Sequence, residues 1–174
     1  MQHIATADET HMSHVQAVRS NVFKYMLDSD ECKTLVENSI TIPDLTYEEL
    51  KALLEFFCSG ILSSANKQHA RALYLAAHKY DIPYLQELCR DQLISSLNQS
   101  NVLDILELST VSSDKILEKT AIRIVVINME TIIYGDRYKS FVRKNPDLGL
   151  DITKILLDYI KSRTSRGLPP IPLI

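Results

Sequence analysis

Histidines, acidic residues and cysteines are the side chains of this sequence that could carry out chemistry, and their spacing decides whether they suit a site. Three histidines and two acids lie near the N-terminus: His3, Asp8, Glu9, His11 and His14. His11 and His14 are three residues apart and could share one face of a helix, as zinc ligands do. So polar a stretch is more often solvated, and we therefore expect no metal site and no cofactor.

The cysteines do not form a catalytic or metal-binding pattern. Cys32, Cys58 and Cys89 are an odd number with no CxxC spacing, which is typical of a reducing compartment, where cysteines behave as small apolar residues. The sequence has no GxSxG motif, and nothing in it links a cysteine to a histidine and an acid or amide in a catalytic pattern. We expect no catalytic residue, no enzyme activity, and a location in the cytoplasm or the nucleus.

Composition narrows the classes of partner. The chain has 174 residues, of which 19 are basic and 22 acidic, and a formal net charge of −3, which excludes a basic protein that coats nucleic acid. The four glycines lie too far apart for a Walker loop or a GxGxxG turn. No apolar run approaches the ~20 residues of a membrane span, and the N-terminus lacks the features of a signal peptide. We expect neither nucleic acid nor a membrane as a partner.

The scarcity of turn-forming residues predicts a fold built mainly of helices. Glycine and proline together number 10 of 174 residues, well below the average usage of about 12%. Apolar residues recur at helical spacing from residue 15 to residue 26, and residues 39–43 alternate polar and apolar up to a proline, which predicts one short strand. Thr46 and Glu49 then form a capping box, and the helix that they begin is predicted to end at Gly60.

The rest of the chain has only helical periodicity. A helix over about residues 66–80 is broken before Pro83, which begins the next helix, and the pattern is wholly helical from residue 98 onward. In the last helix, Asn145 is the predicted N-cap and Pro146 the first residue. Its predicted inward residues are Leu148, Ile152, Ile155, Leu156 and Tyr159. The predicted fold class is α+β and predominantly α-helical.

Charge is distributed unevenly along the chain. Residues 1–60 contain ten acids and four bases, whereas residues 137–166 contain eight bases and three acids. Two interpretations remain open. These stretches are either solvated faces of the protein or docking surfaces for partners of opposite sign.

Four segments together carry a resemblance to one family. They are the run from Arg19 to Phe23, ITIPDL at residues 40–45, ALLEFFCSG at residues 52–60 and LYLAAHKYDIPYLQELC at residues 73–89. In residue type, order and spacing they resemble a BTB/POZ domain, particularly the short plant BTB/POZ-domain proteins. The helices from Asn101 onward resemble the BACK-type helical extension that follows many BTB domains.

The resemblance implies a domain order. It comprises a polar leader at residues 1–12, a BTB/POZ-like helical cluster at residues 13–97, a BACK-like C-terminal helical extension at residues 98–163, and a flexible tail at residues 164–174 with a PxxP spacing. BTB domains begin with two strands and a His-Lys-x-x-Leu-Ala-like turn before Arg-Ser, whereas only thirteen residues precede His14 here. We therefore expect a small, incomplete β-sheet, with the opening strands missing, and a weakened dimer.

The resemblance implies protein binding. BTB domains dimerise, and many recruit the cullin-3 scaffold, which makes the chain that carries them the substrate adaptor of a ubiquitin ligase. The implied partners are cullin-3, a second copy or another BTB chain, and a ubiquitination substrate. The alternative is an oligomerising scaffold or transcriptional co-regulator that does not bind cullin.

The resemblance also indicates where a cullin would bind. In cullin-binding relatives an apolar-x-Glu motif lies in the loop after the first long helix, and residues 35–37 match it in type but lie closer to the strand than usual. The turn between the two later helices is a second expected contact. The candidate contact residues are Leu35, Glu37, Tyr47, Tyr80, Asp81 and Tyr84. Two of them have a simpler interpretation, since Leu35 would pack in the fold and Tyr80 would lie in the core.

Overall fold

The computed structural model describes Ile42 and residues 44–165, and within these residues the regular structure consists of helices. This confirms the predominantly helical fold class. The described residues divide into two units, the first ending at Ser95 and the second beginning at Ser96. None of the described helices is long and apolar enough to cross a membrane.

Several predictions concern residues outside the described part of the chain. These are the polar leader with its histidines, the first helix, Cys32, the predicted strand apart from Ile42, and the tail beyond residue 165. Leu35 and Glu37 also lie outside it. The small sheet, the domain boundaries and these two contact residues therefore remain predictions.

Helix α1 (Tyr47–Ser59) begins and ends at the predicted residues. The Glu49 N–H donates to Thr46 Oγ1 at 3.4 Å, and the Glu49 carboxylate accepts from the Thr46 N–H at 2.8 Å. Gly60 follows the helix with a φ of 73°, a left-handed conformation that costs glycine little because it has no Cβ. The capping box and the glycine stop are both confirmed.

Among the described residues of the first unit, α1 is followed by a helical hairpin that packs with it. The helix predicted over residues 66–80 is divided into a 3₁₀-helix (Ser64–His69) and α2 (Ala70–Lys79), and α3 (Pro83–Ser95) follows a tight turn. Helices α2 and α3 pack against each other, and α1 contacts α2. Fully buried large side chains of this unit are Leu53, Phe56, Phe57, Leu73, Tyr74, Ile82 and Leu85.

The second unit is built from five helices within the described residues. They are α4 (Val102–Val111), α5 (Lys115–Ile127), α6 (Met129–Ile132), α7 (Asp136–Lys144) and α8 (Pro146–Ser165). Asp114 caps α5 by accepting from the N–H groups of Ile116 and Leu117, each at 3.1 Å. The core of this unit includes Val102, Leu106, Ala121, Val125, Phe141 and Ile152.

The last helix begins as predicted and differs from the prediction along its inward face. Asn145 directly precedes Pro146, and its carbonyl accepts the first hydrogen bond of α8, from the Gly149 N–H at 3.0 Å. Asn145 also ends α7, because its backbone N–H and its side-chain Nδ2 both donate to the carbonyl of Phe141, at 2.9 and 3.2 Å. Pro146 is the first residue of α8, as predicted. Leu148 and Ile152 are buried, but Ile155, which was predicted to face inward, is exposed.

Candidate functional site

A polar cluster holds the C-terminal end of α2 to the segment before α1. Lys79 Nζ forms an ion pair with Asp44 Oδ2, and the Tyr80 hydroxyl donates to the same oxygen at 3.3 Å. The hydrogen bond from Lys79 lowers the pKa of Asp44, and the same bond raises the pKa of Lys79. The cluster therefore places the chain that leads into Tyr47 beside Tyr80.

The candidate contact residues of the α2–α3 turn differ in their exposure. The side chain of Tyr80 is only 3% exposed, and burial is the main cause that raises the pKa of its hydroxyl. Asp81 is exposed at the tip of the turn and has a φ of 50°. Tyr80 thus lies in the core and positions the turn, while Asp81 presents its carboxylate to solvent.

Tyr84 projects from the first turn of α3 and is supported from below. It is 57% exposed, and its ring centroid lies 6.1 Å from that of Phe56, which is buried in α1. Aromatic pairs at this distance are favourable, so one side of the Tyr84 ring is held in place while the other is available to a partner. Tyr47, at the start of α1, is 62% exposed.

Tyr84 also lines a shallow groove of about 300 Å³ in the first unit. We call it the Tyr84 groove, and its lining residues are Gly60, Ile61, Leu62, Lys67, Tyr84, Leu88, Asp91 and Gln92. Ile61 is strongly exposed there. The sequence interpretation missed Ile61, although an apolar pair directly after the helix-ending glycine was the available signal.

The described residues offer little for catalysis or metal binding. Among them no group of three or more His, Cys, Asp or Glu side chains could hold a metal ion. Burial raises the pKa of the Cys89 thiol to about 12, so this thiol stays protonated and unreactive. Cys58 is exposed. What the surface offers instead is a supported aromatic ring, an acidic turn and an apolar groove, which is the chemistry of protein recognition.

Comparison with known proteins identifies the family. The BTB/POZ domain family matches residues 10–97, which are 88 of the 174 residues. The chain belongs to the BTB/POZ family. BTB/POZ domains are protein-interaction modules, so the match and the exposed features of the first unit agree.

Relatives from the plant Arabidopsis thaliana extend the similarity beyond this domain. The chain is 52% identical to BTB/POZ domain-containing protein At1g01640 over 149 residues, covering 86% of this chain and 72% of the relative. It is 45% identical to BTB/POZ domain-containing protein At5g48510 over 155 residues, covering 87% of this chain and 69% of that relative. It is 43% identical to At3g56230 over 148 residues, covering 84% and 52%, so it spans about half of that relative. The resemblance to plant BTB/POZ proteins is confirmed.

Proposed function

We propose that this chain is a substrate adaptor of a cullin-3 RING ubiquitin ligase. The observation that carries the proposal is Tyr84, an exposed ring supported by Phe56 at the α2–α3 turn of a BTB domain. The resemblance to cullin-binding relatives places an expected cullin contact at this turn. In this proposal Asp81 and Tyr47 add to the contact on the described surface. Leu35 and Glu37 would contribute from the preceding loop.

The contact would depend mainly on Tyr84. Aromatic side chains that are already held in one position lose little conformational entropy on binding, and they are enriched among interface hot spots. Truncation of such a residue costs about 2 kcal/mol or more of binding energy. Asp81 and Glu37 would act through charge, together with the excess of acids in residues 1–60, by speeding association with a basic scaffold surface.

The second unit would contribute the substrate contact to the same function. Residues 98–163 form the BACK-like extension in this proposal, and the ubiquitination substrate binds there or through a partner chain. The adaptor acts without a catalytic residue of its own, because the cysteine chemistry of ubiquitin transfer lies in other subunits. Its place is the cytoplasm or the nucleus.

Isothermal titration with the N-terminal domain of cullin-3 tests the proposal. We expect micromolar or tighter binding by the wild-type chain and loss of binding in Glu37→Lys, which reverses one charge of the contact. Glu130→Lys is the matched control, since it reverses an exposed acid in the second unit. Circular dichroism must show equal folding of all three proteins. A well-folded wild type that does not bind cullin-3 would refute the adaptor function.

The alternative function is an oligomerising scaffold or transcriptional co-regulator that does not bind cullin. It is favoured by the position of residues 35–37, which lie closer to the predicted strand than the apolar-x-Glu motif of cullin-binding relatives. Self-association through the BTB domain is part of both functions. Light scattering measures it directly, and a monomer mass for the wild-type chain would contradict self-association.

A further inference from the structure

Helix α8 exposes apolar side chains outside the face that it buries. Ile152 and Leu148 are buried in the core of the second unit. Leu150 and Leu157 are 55% and 52% exposed, and Ile160 is exposed as well. Because a helix advances 100° per residue, Leu150 and Leu157 lie about 160° and about 140° around α8 from Ile152, and Ile160 lies about 80° from it. Packing in the core of the second unit therefore does not explain why these three positions are apolar.

The three exposed residues have the spacing of a helix-pairing seam. Positions 150, 153, 157, 160 and 164 alternate steps of three and four residues, as the a and d positions of a heptad do. Leucine and isoleucine occupy three of these positions, and threonine occupies Thr153 and Thr164. At 1.5 Å per residue the seam is about 21 Å long, which suits a partner helix of about four turns. We call it the outer seam of α8.

Basic residues border the outer seam. Lys154 and Lys161 occupy the e positions beside it. Lys154 Nζ lies 3.0 Å from Asp151 Oδ1, whereas Lys161 has no ion-pair partner within the described residues. The acids of this stretch, Asp151 and Asp158, occupy b positions, which lie farther from a partner helix than the e positions do. The charged side chains nearest the outer seam on this side are therefore the two lysines.

The charge pattern argues against a second copy of α8 as the partner helix. Two antiparallel copies would place Lys154 opposite Lys161, and like charges at such positions are unfavourable. Two parallel copies would place Gly149 and Leu156 opposite the lysines, so neither direction supplies an acid. A helix with acids beside its apolar residues could pack on the outer seam and also pair with the lysines that border it.

We propose that the outer seam of α8 binds an amphipathic helix of a partner protein. The partner places apolar residues against Leu150, Leu157 and Ile160, and glutamate or aspartate beside Lys154 and Lys161. This site lies in the second unit, whereas the residues proposed for the cullin contact belong to the first. It stands independently of the proposed adaptor function, because neither its residues nor its test involve cullin.

The test measures binding of two labelled 21-residue helical peptides to the full chain by fluorescence anisotropy. Both peptides carry leucine at their a and d positions, and one has glutamate and the other lysine at its e and g positions. We expect micromolar binding of the acidic peptide and at least tenfold weaker binding of the basic one. The double variant Lys154→Glu/Lys161→Glu should reverse this preference.

Matched variants separate the seam from nonspecific apolar contact. Leu157→Ser should weaken the acidic peptide at least tenfold, whereas Ile116→Ser, which alters an exposed apolar residue of α5, should leave binding unchanged. Circular dichroism checks that both variants are folded. Binding of neither peptide, equal binding of both, or equal effects of the two serine variants would overturn the proposal. The proposal would also be overturned if the wild-type chain had the mass of a dimer and Leu157→Ser had the mass of a monomer, because a second copy would then occupy the seam.

Discussion

The Tyr84 groove of the first unit and the outer seam of α8 in the second both expose apolar side chains, but they are supported in different ways. Tyr84 is a single ring held by a buried aromatic residue, Phe56, and it stands beside the acidic turn residue Asp81. The outer seam is a row of aliphatic residues that depends only on the helix itself, and lysines border it. One surface suits a pocket on a basic partner and the other suits an acidic helix, so a single chain would bring two different partners together.

Truncation of Phe56, the residue that supports Tyr84, should strongly lower the stability of the first unit. Phe56 is fully buried, and Phe56→Ala should lower the free energy of unfolding by about 3–5 kcal/mol, because burial is lost and a cavity remains. Urea denaturation followed by circular dichroism measures this. The milder Phe56→Leu keeps most of the buried volume, so its loss of cullin-binding free energy should exceed its loss of unfolding free energy. Equal effects on both would show that Phe56 does not support Tyr84.

The two faces of α8 should respond very differently to the same kind of substitution. Ile152→Ala removes a fully buried side chain and should cost about 2–5 kcal/mol. Leu157→Ala, on the outer seam, should change stability by no more than about 0.5 kcal/mol. The comparison uses urea denaturation of both variants. A large loss in Leu157→Ala would mean that the outer seam is part of the core of the unit.

A methyl group added at Gly149 should destabilise the packing of α7 against α8. A Cβ there would lie 2.9 Å from Val142 Cγ1, and the resulting overpacking costs about 1–3 kcal/mol. The higher helix propensity of alanine returns about 1 kcal/mol, so Gly149→Ala should be destabilising overall. In a Val142→Ala background the same change should become stabilising. Thermal unfolding of the four proteins in this cycle checks the prediction, and stabilisation in the wild-type background would contradict it.

The smallest expected effect is the pH dependence of the Asp44–Lys79 pair. The pKa of Asp44 is lowered in the folded protein, so the stability that this pair contributes is present above the usual aspartate value of 3.8 and is lost as the pH falls through the lowered pKa. The raised pKa of Lys79 means that its share is lost only as the pH rises past 10.5. Urea midpoints of wild type and Asp44→Asn should therefore converge at acid pH. If the urea midpoints of the two proteins differed by the same amount at every pH, the Asp44–Lys79 pair would not be the source of that difference.

Local signals in the sequence predicted local structure well. The capping box of Thr46 and Glu49 and the glycine stop at Gly60 depend on residues within one or two turns, so their chemistry alone indicates where α1 begins and ends. The same kind of signal correctly placed Asn145 at the N-cap of α8, where its carbonyl accepts from the Gly149 N–H, but it did not predict what the side chain does. An asparagine before a proline suits an N-cap, but its side chain instead completes the end of α7, where it also reaches Glu107 at 3.3 Å.

The functional surfaces were harder to predict because they depend on packing. The candidate residues Asp81 and Tyr84 came from family resemblance, and only the structure shows that Phe56 supports Tyr84. The burial of Tyr80, by contrast, agrees with its predicted place in the core. The inward face of α8 was ambiguous because apolar residues occur on more than one side of it. Periodicity therefore placed Ile155 inward, and the outer seam was found only when burial was known.

Cullin-3 binding by two matched aromatic variants tests the central claim most directly. Tyr84→Ala removes the supported ring of the first unit, and Tyr134→Ala removes a more exposed ring of the second. Isothermal titration should show that Tyr84→Ala weakens binding by about 30-fold, which corresponds to about 2 kcal/mol, while Tyr134→Ala binds as the wild type does. Equal affinities of the two folded variants would contradict the account, since Tyr84 would then not form the contact.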